Sequence, residues 1–431
     1  MVSYTNITGS MRSLDRTTQV IPTAPSTLRK TIGKFQECAK HRIFLWAVLM
    51  AILARSVVFA GAIIWPIPNE GLLLVSPLHP PAYQDISFYL SSLERYGSVS
   101  PVELLSQFIE FYQRPLEKQF GHIIAGPVFP GLVALFNIRD GSPLPFAIFF
   151  LIVGSVTAIM WLWILAISGV SRWWLFLFSI VPNPIWFMLI LSPDALFAFM
   201  VCLFYVSYFR DPWSTFDVIL WCCAAVLALL TRPNGLSLLV FVFIDMIARH
   251  LLYNRHNYLS LLGVVVLIIL FSLYLYPYFI TELRKSLVDT QYFGIRSSEY
   301  ISGLIDILPA WLDLLVSWAA FAGAKLLYFV GLRPSYGETA TALVFIRAAA
   351  GVVLLPGLIH IVFAMPRRQK LFVALFCLPI FLGPTQDRYN LPILPLLFLH
   401  GALAYQVLYK QWGGLWRVLS AAHPHNRMVP K

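Results

Sequence analysis

The feature that most constrains this chain is a succession of apolar runs, each about as long as a bilayer is thick. A helix needs about 20 apolar residues to cross the hydrocarbon of a membrane. Such runs recur at 43–65, 144–168, 173–190, 193–209, 215–230, 235–250, 259–280, 341–364, 369–383 and 391–409. Composition agrees with them. Of 431 residues, 59% are hydrophobic and 12% are charged, whereas a soluble domain carries roughly 25% charged residues. So little charge cannot cover a water-facing surface, and so much apolar content excludes intrinsic disorder. The expected fold is an all-α polytopic membrane protein with about 10–11 transmembrane helices.

The placement of charge gives an orientation. The net charge is +11, and its basic residues gather in a few places. Residues 1–42 hold Arg12, Arg16, Arg29, Lys30, Lys34, Lys40 and Arg42 against Asp15 and Glu37, and the tail 410–431 holds Lys410, Arg417, Arg427 and Lys431 with no acid. The polar stretch 66–126 is acidic, with Glu70, Asp85, Glu94, Glu103, Glu110 and Glu117. Lys and Arg collect on the cytoplasmic side, so both termini are expected inside and 66–143 outside. The short basic turns at Ser171-Arg172, Arg210-Asp211-Pro212, Arg249 to His256 and Pro366 to Lys370 then all fall inside. Residues 1–42 are expected to be a largely disordered cytoplasmic tail, 43–409 the membrane domain, and 410–431 a second cytoplasmic tail. The first 42 residues lack an apolar core, so the run at 43 reads as an uncleaved anchor. The five cysteines match no metal spacing and none lies in an external loop, so no disulfide is expected.

The first external loop carries its own helix signals. Ser100-Pro101-Val102-Glu103 sets a capping Ser, a first-turn Pro and a Glu three residues after the cap, which opens a helix. Val102, Leu105, Phe108, Ile109 and Tyr112 share one face, as in a helix lying on the membrane surface. Val128 to Asn137 reads as a second one. Residues 307–331 are apolar but contain Asp313 and Lys325, and read best as a re-entrant or interfacial segment.

Few polar groups resist a topological account. Arg55 sits in the middle of the first run with no acid within a helical turn in sequence. A buried guanidinium needs an anion, so its partner is either a carboxylate on another helix or a phosphate. Asp85 stands among aromatics just beyond the first run. Desolvation there would suit a general base, although a lone loop Asp also serves as a helix cap. His122 lies at the join to the second surface helix, as a polar interfacial residue or a donor to an anion. Ser192-Pro193-Asp194 has the form of a helix start, and Pro182-Asn183-Pro184 should break the run before it. Thr231-Arg232-Pro233-Asn234-Gly235 and Asp387-Arg388-Tyr389-Asn390 each put an Arg on the outer face. Arg clusters bind phosphate bidentately. A carboxylate beside such a cluster suggests group transfer from a lipid phosphate.

In their order these segments resemble the GT-C superfamily of integral-membrane glycosyltransferases. In detail they resemble the family that adds the second mannose to glycosylphosphatidylinositol, and its bacterial relatives. The resemblance spans roughly 43–410 and rests on Arg55, Val128 to Leu132, Pro182-Asn183 with Ser192 to Ala198, Thr231 to Gly235, and Asp387 to Pro392. It implies a polyprenyl-phosphate sugar donor, a mannose-like hexose and a lipid- or glycan-linked acceptor. It also implies direct displacement at the anomeric carbon. By position Asp85 takes the role of catalytic base, but Gln84 precedes it where the family has Trp. Donor phosphate would fall to Arg55, His122, Arg232 and Arg388, with Asp194, Asn234 and Tyr389 in support. No cofactor is expected. No Asp-x-Asp or His-x-x-x-His pattern stands in the external loops, so no metal is expected either. The expected setting is the inner membrane of a bacterial cell, with chemistry on the external face and no nucleic-acid partner. A transporter or flippase of a lipid-linked saccharide is the alternative, since it would grip the same phosphate.

Overall fold

The computed structural model describes residues 42–65, 67–68, 74–75, 128–136, 142–189, 191–210, 213–253, 323, 326–327, 329–332, 341–382 and 390–422. Of these, 87% are helical. The rest is turns and short connections, with one two-residue antiparallel pair, β1 (Ile67–Pro68) with β2 (Leu74–Val75). The helices are α1 (Arg42–Ile64), α2 (Val128–Leu135), α3 (Leu144–Ile167), α4 (Arg172–Ser179), α5 (Pro182–Leu189), α6 (Pro193–Tyr208), α7 (Thr215–Thr231), α8 (Leu236–Tyr253), α9 (Thr341–Ala364), α10 (Arg367–Leu382) and α11 (Leu394–Ala422). The expected span at 259–280, the surface helix at 100–112 and most of 307–331 lie outside the described residues.

Among the described residues two helices, α1 and α3, are long and apolar enough to cross a membrane. Their 23 and 24 residues rise about 35 Å. Their apolar character is spread around the helix, and much of it faces outward. On α1, Leu45, Leu49, Leu53 and Val57 are each 46–59% exposed, and Ile148, Ile152 and Val156 repeat the pattern on α3. A four-residue spacing puts each set on one stripe.

Breaks fall where the sequence forbids helix. Pro182 and Pro184 lack N–H groups, so the carbonyls of Phe178 and Ile180 lose their i+4 donors, and that of Phe178 accepts instead from the Val181 N–H at 3.3 Å. The third apolar run accordingly divides into α4 and α5. Leu191, between α5 and α6, has φ +52°, a left-handed conformation uncommon for a branched residue. At α7, Ser214 and Asp217 form a complete capping box, each side chain accepting from the other's backbone N–H. At its far end Pro233–Gly235 make one 3-10 turn before α8 begins. Gly235 is required there, because a Cβ would stand 2.3 Å from the Leu229 nitrogen and 2.4 Å from the Ala228 carbonyl carbon.

The interior has two adjoining parts. The larger gathers residues of α1, α3, α4 and α6 to α11 around Phe204, Tyr208, Phe241 and Phe372. The smaller joins Phe59 and Ala62 of α1 to Phe129 and Val133 of α2, Phe146 and Phe150 of α3, and Met188, Leu191, Ala195 and Leu391. Phe129 meets Phe146 and Phe150 edge to face, at 5.9 and 6.1 Å, a favoured aromatic geometry. Thus α2 is pinned by one face to the ends of α1 and α3. The helix expected to end near 409 runs on to Ala422. Its 29 residues reach about 43 Å, longer than a bilayer core of about 30 Å.

Candidate functional site

Arg55 stands on α1 and is 1% exposed. Its Nη1 donates to the carbonyl of Ala51 at 3.0 Å and to that of Ser179 at 3.5 Å. The helix break explains the second contact. Ser179 closes α4, so its carbonyl lies at the negative end of a short helix, which favours a cation. The Ser179 hydroxyl donates to the carbonyls of Ala47 and Leu175, at 2.8 and 2.9 Å, and so ties α1 to α4 beside the guanidinium. Carbonyl dipoles compensate the charge only in part. Among the described residues no carboxylate reaches Arg55, and its buried Nε has no partner.

Arg55 also lines a cavity. Gly154, Thr157, Ala158 and Trp161 form the α3 wall, Pro184 and Met188 come from α5, Ala195 and Ala198 from α6, and Leu391 and Pro395 from the start of α11. Small residues open the space. Gly154 admits the Met188 side chain, since a Cβ there would meet its sulfur at 2.6 Å. The cavity sits where the chain is broken or strained, between α4, α5 and the left-handed Leu191. Two more buried donors on α5, Asn183 Nδ2 and Trp186 Nε1, have no partner among the described residues.

Asp194 and Arg232 come together from different loops. Arg232 Nη2 meets Asp194 Oδ2 at 2.8 Å, with the side chains 15% and 4% exposed. Asp194 occupies the first turn of α6, where an acid suits the helix dipole. Ser192 departs from the expected cap: its side chain makes no capping bond to the helix backbone but donates to Asp194 Oδ2 at 3.4 Å. Arg232 is extended, at φ −146° and ψ 144°, as a residue before proline should be. That backbone turns its side chain away from α7 toward the start of α6. Asn234, in the 3-10 turn, is partly buried. Asp85, His122, Arg388 and Tyr389 lie outside the described residues.

The sequence reading passed over three polar clusters. The first joins Tyr208, Asp245 and Arg368 at the end of α6 opposite Asp194. The Tyr208 hydroxyl donates to Asp245 Oδ2 at 2.8 Å and Arg368 Nε to the same oxygen at 2.9 Å. The Arg368 guanidinium also lies 4.9 Å from the Tyr208 ring centre and 5.0 Å from that of Phe209, within cation–π range. The second pairs Arg210 with Asp217 at 2.8 Å. The third sets His360 against His400 at 2.9 Å. An ionisable residue inside an apolar run is the signal that could have found Asp245 and both histidines.

No group of three or more metal-ligating side chains occurs among the described residues. No family model, curated protein or solved structure matches the chain.

Proposed function

We propose that this chain is a multi-pass membrane glycosyltransferase of the GT-C type, taking a mannose-like hexose from a polyprenyl-phosphate donor to a lipid- or glycan-linked acceptor on the outer face. The observation that carries this reading is Arg55, a buried guanidinium facing a cavity in which no carboxylate among the described residues neutralises it. Such a cation favours an anion, and a phosphate matches its planar donors. The exposed apolar stripes of α1 and α3 support a lipid setting for that anion. So do Trp46 and Trp173, 60% and 78% exposed, beside the basic starts of their helices. Aromatic residues mark membrane–water interfaces, and a lipid surround makes a polyprenyl tail a natural neighbour.

In the proposed reaction Asp85 takes the proton from the acceptor hydroxyl as that oxygen bonds to the anomeric carbon. The bond from that carbon to the phosphate oxygen breaks, and the polyprenyl phosphate leaves with the electron pair. Arg55, with His122, Arg232 and Arg388 from the outer segments, would stabilise the growing charge, and loss of one such donor typically lowers turnover by about 10²–10³-fold. Arg232 is positioned for this role by its ion pair with Asp194. The setting that fits is a bacterial inner membrane with both termini inside.

The test is sugar transfer by the purified, reconstituted chain. Asp85→Asn should abolish turnover while donor binding persists, and Arg55→Met should weaken donor binding and turnover together. Near-wild-type transfer by Asp85→Asn would remove Asp85 as the base, and unchanged donor binding by Arg55→Met would remove the phosphate role. One observation favours a flippase instead: ion pairs close both ends of α6, Asp194–Arg232 at one and Asp245–Arg368 at the other, as gates would.

A further inference from the structure

We propose that His360 and His400 form a proton-operated clasp between α9 and α11, closed while at most one of the two rings is charged and opened when both are. This goes beyond the catalytic reading and does not depend on it. The Nδ1 atoms lie 2.9 Å apart and the ring centres 5.2 Å apart at 44°. At that separation one nitrogen donates and the other accepts, so one ring must lack a proton at Nδ1. With both rings charged, two N–H groups would face one another without an acceptor, and the charges would repel in a medium that screens poorly.

Among the described residues packed around the pair, nothing would neutralise a second charge. Neither α9 nor α11 contains Asp or Glu. Arg347, on α9, and Lys410, on α11, are cations themselves. α5, against which α9 packs, has no ionisable side chain, and residues 329–332 have none. α4, against which α11 packs, brings only Arg172. Tyr405 donates to the Val352 carbonyl. α10 follows with Arg367, Arg368 and Lys370, and Arg368 is bound to Asp245 on α8.

The clasp sits beside a close approach of the two helices. A Cβ on Gly357 would stand 1.9 Å from the Leu397 carbonyl oxygen, and one on Gly401 2.2 Å from that of Val353. His360 is three residues from the first glycine and His400 next to the second, so parting the rings strains this contact. Leu391 and Pro395, leading into α11, line the Arg55 cavity. A displacement of α11 would therefore reach it.

The test is thermal unfolding of the full chain in lipid nanodiscs with chelator, from pH 8 to pH 5, for wild type, His360→Gln and His400→Gln. An unfolded histidine takes up its proton near pH ~6.5, whereas in the folded chain two charged rings would face one another across 2.9 Å. The unfolded state then binds more protons as pH falls, so stability is lost below that value. The wild-type midpoint should hold above neutrality and fall by roughly 3 °C or more at pH 5. Each Gln variant keeps a hydrogen-bonding side chain but cannot charge twice, and should fall less at pH 5 than wild type. A wild-type midpoint that does not fall, or a variant that falls as far as wild type, would overturn the clasp. Should His400→Gln not fold, His360→Gln decides alone, because His360 is only partly buried.

Discussion

At the scale of single residues, buried charge is the informative material. Asp194 is 3% exposed and Arg232 is its ion-pair partner. Removing one member of a buried pair strands the other, at about 3 kcal/mol or more. Arg232→Ala should therefore lower stability by that amount, and adding Asp194→Asn should recover part of it. A double-mutant cycle by chemical denaturation in mixed micelles measures the coupling, and purely additive effects would mean that the pair does not hold the loops. Gly235 is a second such position. Gly235→Ala forces a methyl against the backbone of Ala228 and Leu229, and overpacking of this kind costs about 1–3 kcal/mol. The thermal midpoint should fall accordingly, with Asn234→Ala beside it as the comparison.

At the scale of elements, prolines decide what the helices present to each other. Pro356 stands inside α9 and has no N–H, so the carbonyl of Val352, four residues earlier, loses its helical donor. The Tyr405 hydroxyl of α11 supplies one at 2.9 Å. Tyr405→Phe should cost about 1 kcal/mol in the wild-type chain and close to nothing once Pro356→Ala restores the helical bond. Equal losses in both backgrounds, read from unfolding midpoints, would contradict the exchange. The same chemistry accounts for what was legible in the sequence. The run read at 43–65 is a helix at Arg42–Ile64, that at 341–364 is Thr341–Ala364, and the break at Pro182-Asn183-Pro184 separates α4 from α5. Apolar runs, caps and prolines act locally, so their consequences can be read locally. Asp194 and Arg232 are 38 residues apart, and Asp245 and Arg368 are 123 apart. Partners at that range are set by packing, which the order of residues does not spell out. Ser192 shows the limit at close range: its sequence has the form of a cap, yet the hydroxyl turns to the Asp194 carboxylate.

At the scale of the whole molecule, the outward apolar stripes change what holds the helices together. In the proposed membrane setting lipid tails are as apolar as leucine, so little would be gained by hiding such stripes from them, and close packing and interhelical polar bonds would carry the association. The Gly357–Gly401 approach, the Ser179–Ala47 bond and the Asp245–Arg368–Tyr208 cluster are of that kind. The polar groups left over after packing are few, and Arg55 at its cavity is the plainest of them. The measurement that tests the account most directly follows labelled polyprenyl-phosphate mannose given to the purified chain in liposomes with membrane-lipid acceptors. The account predicts that label leaves the donor and appears in a new glycosylated product. Label that stays on the donor and only changes leaflet would contradict it.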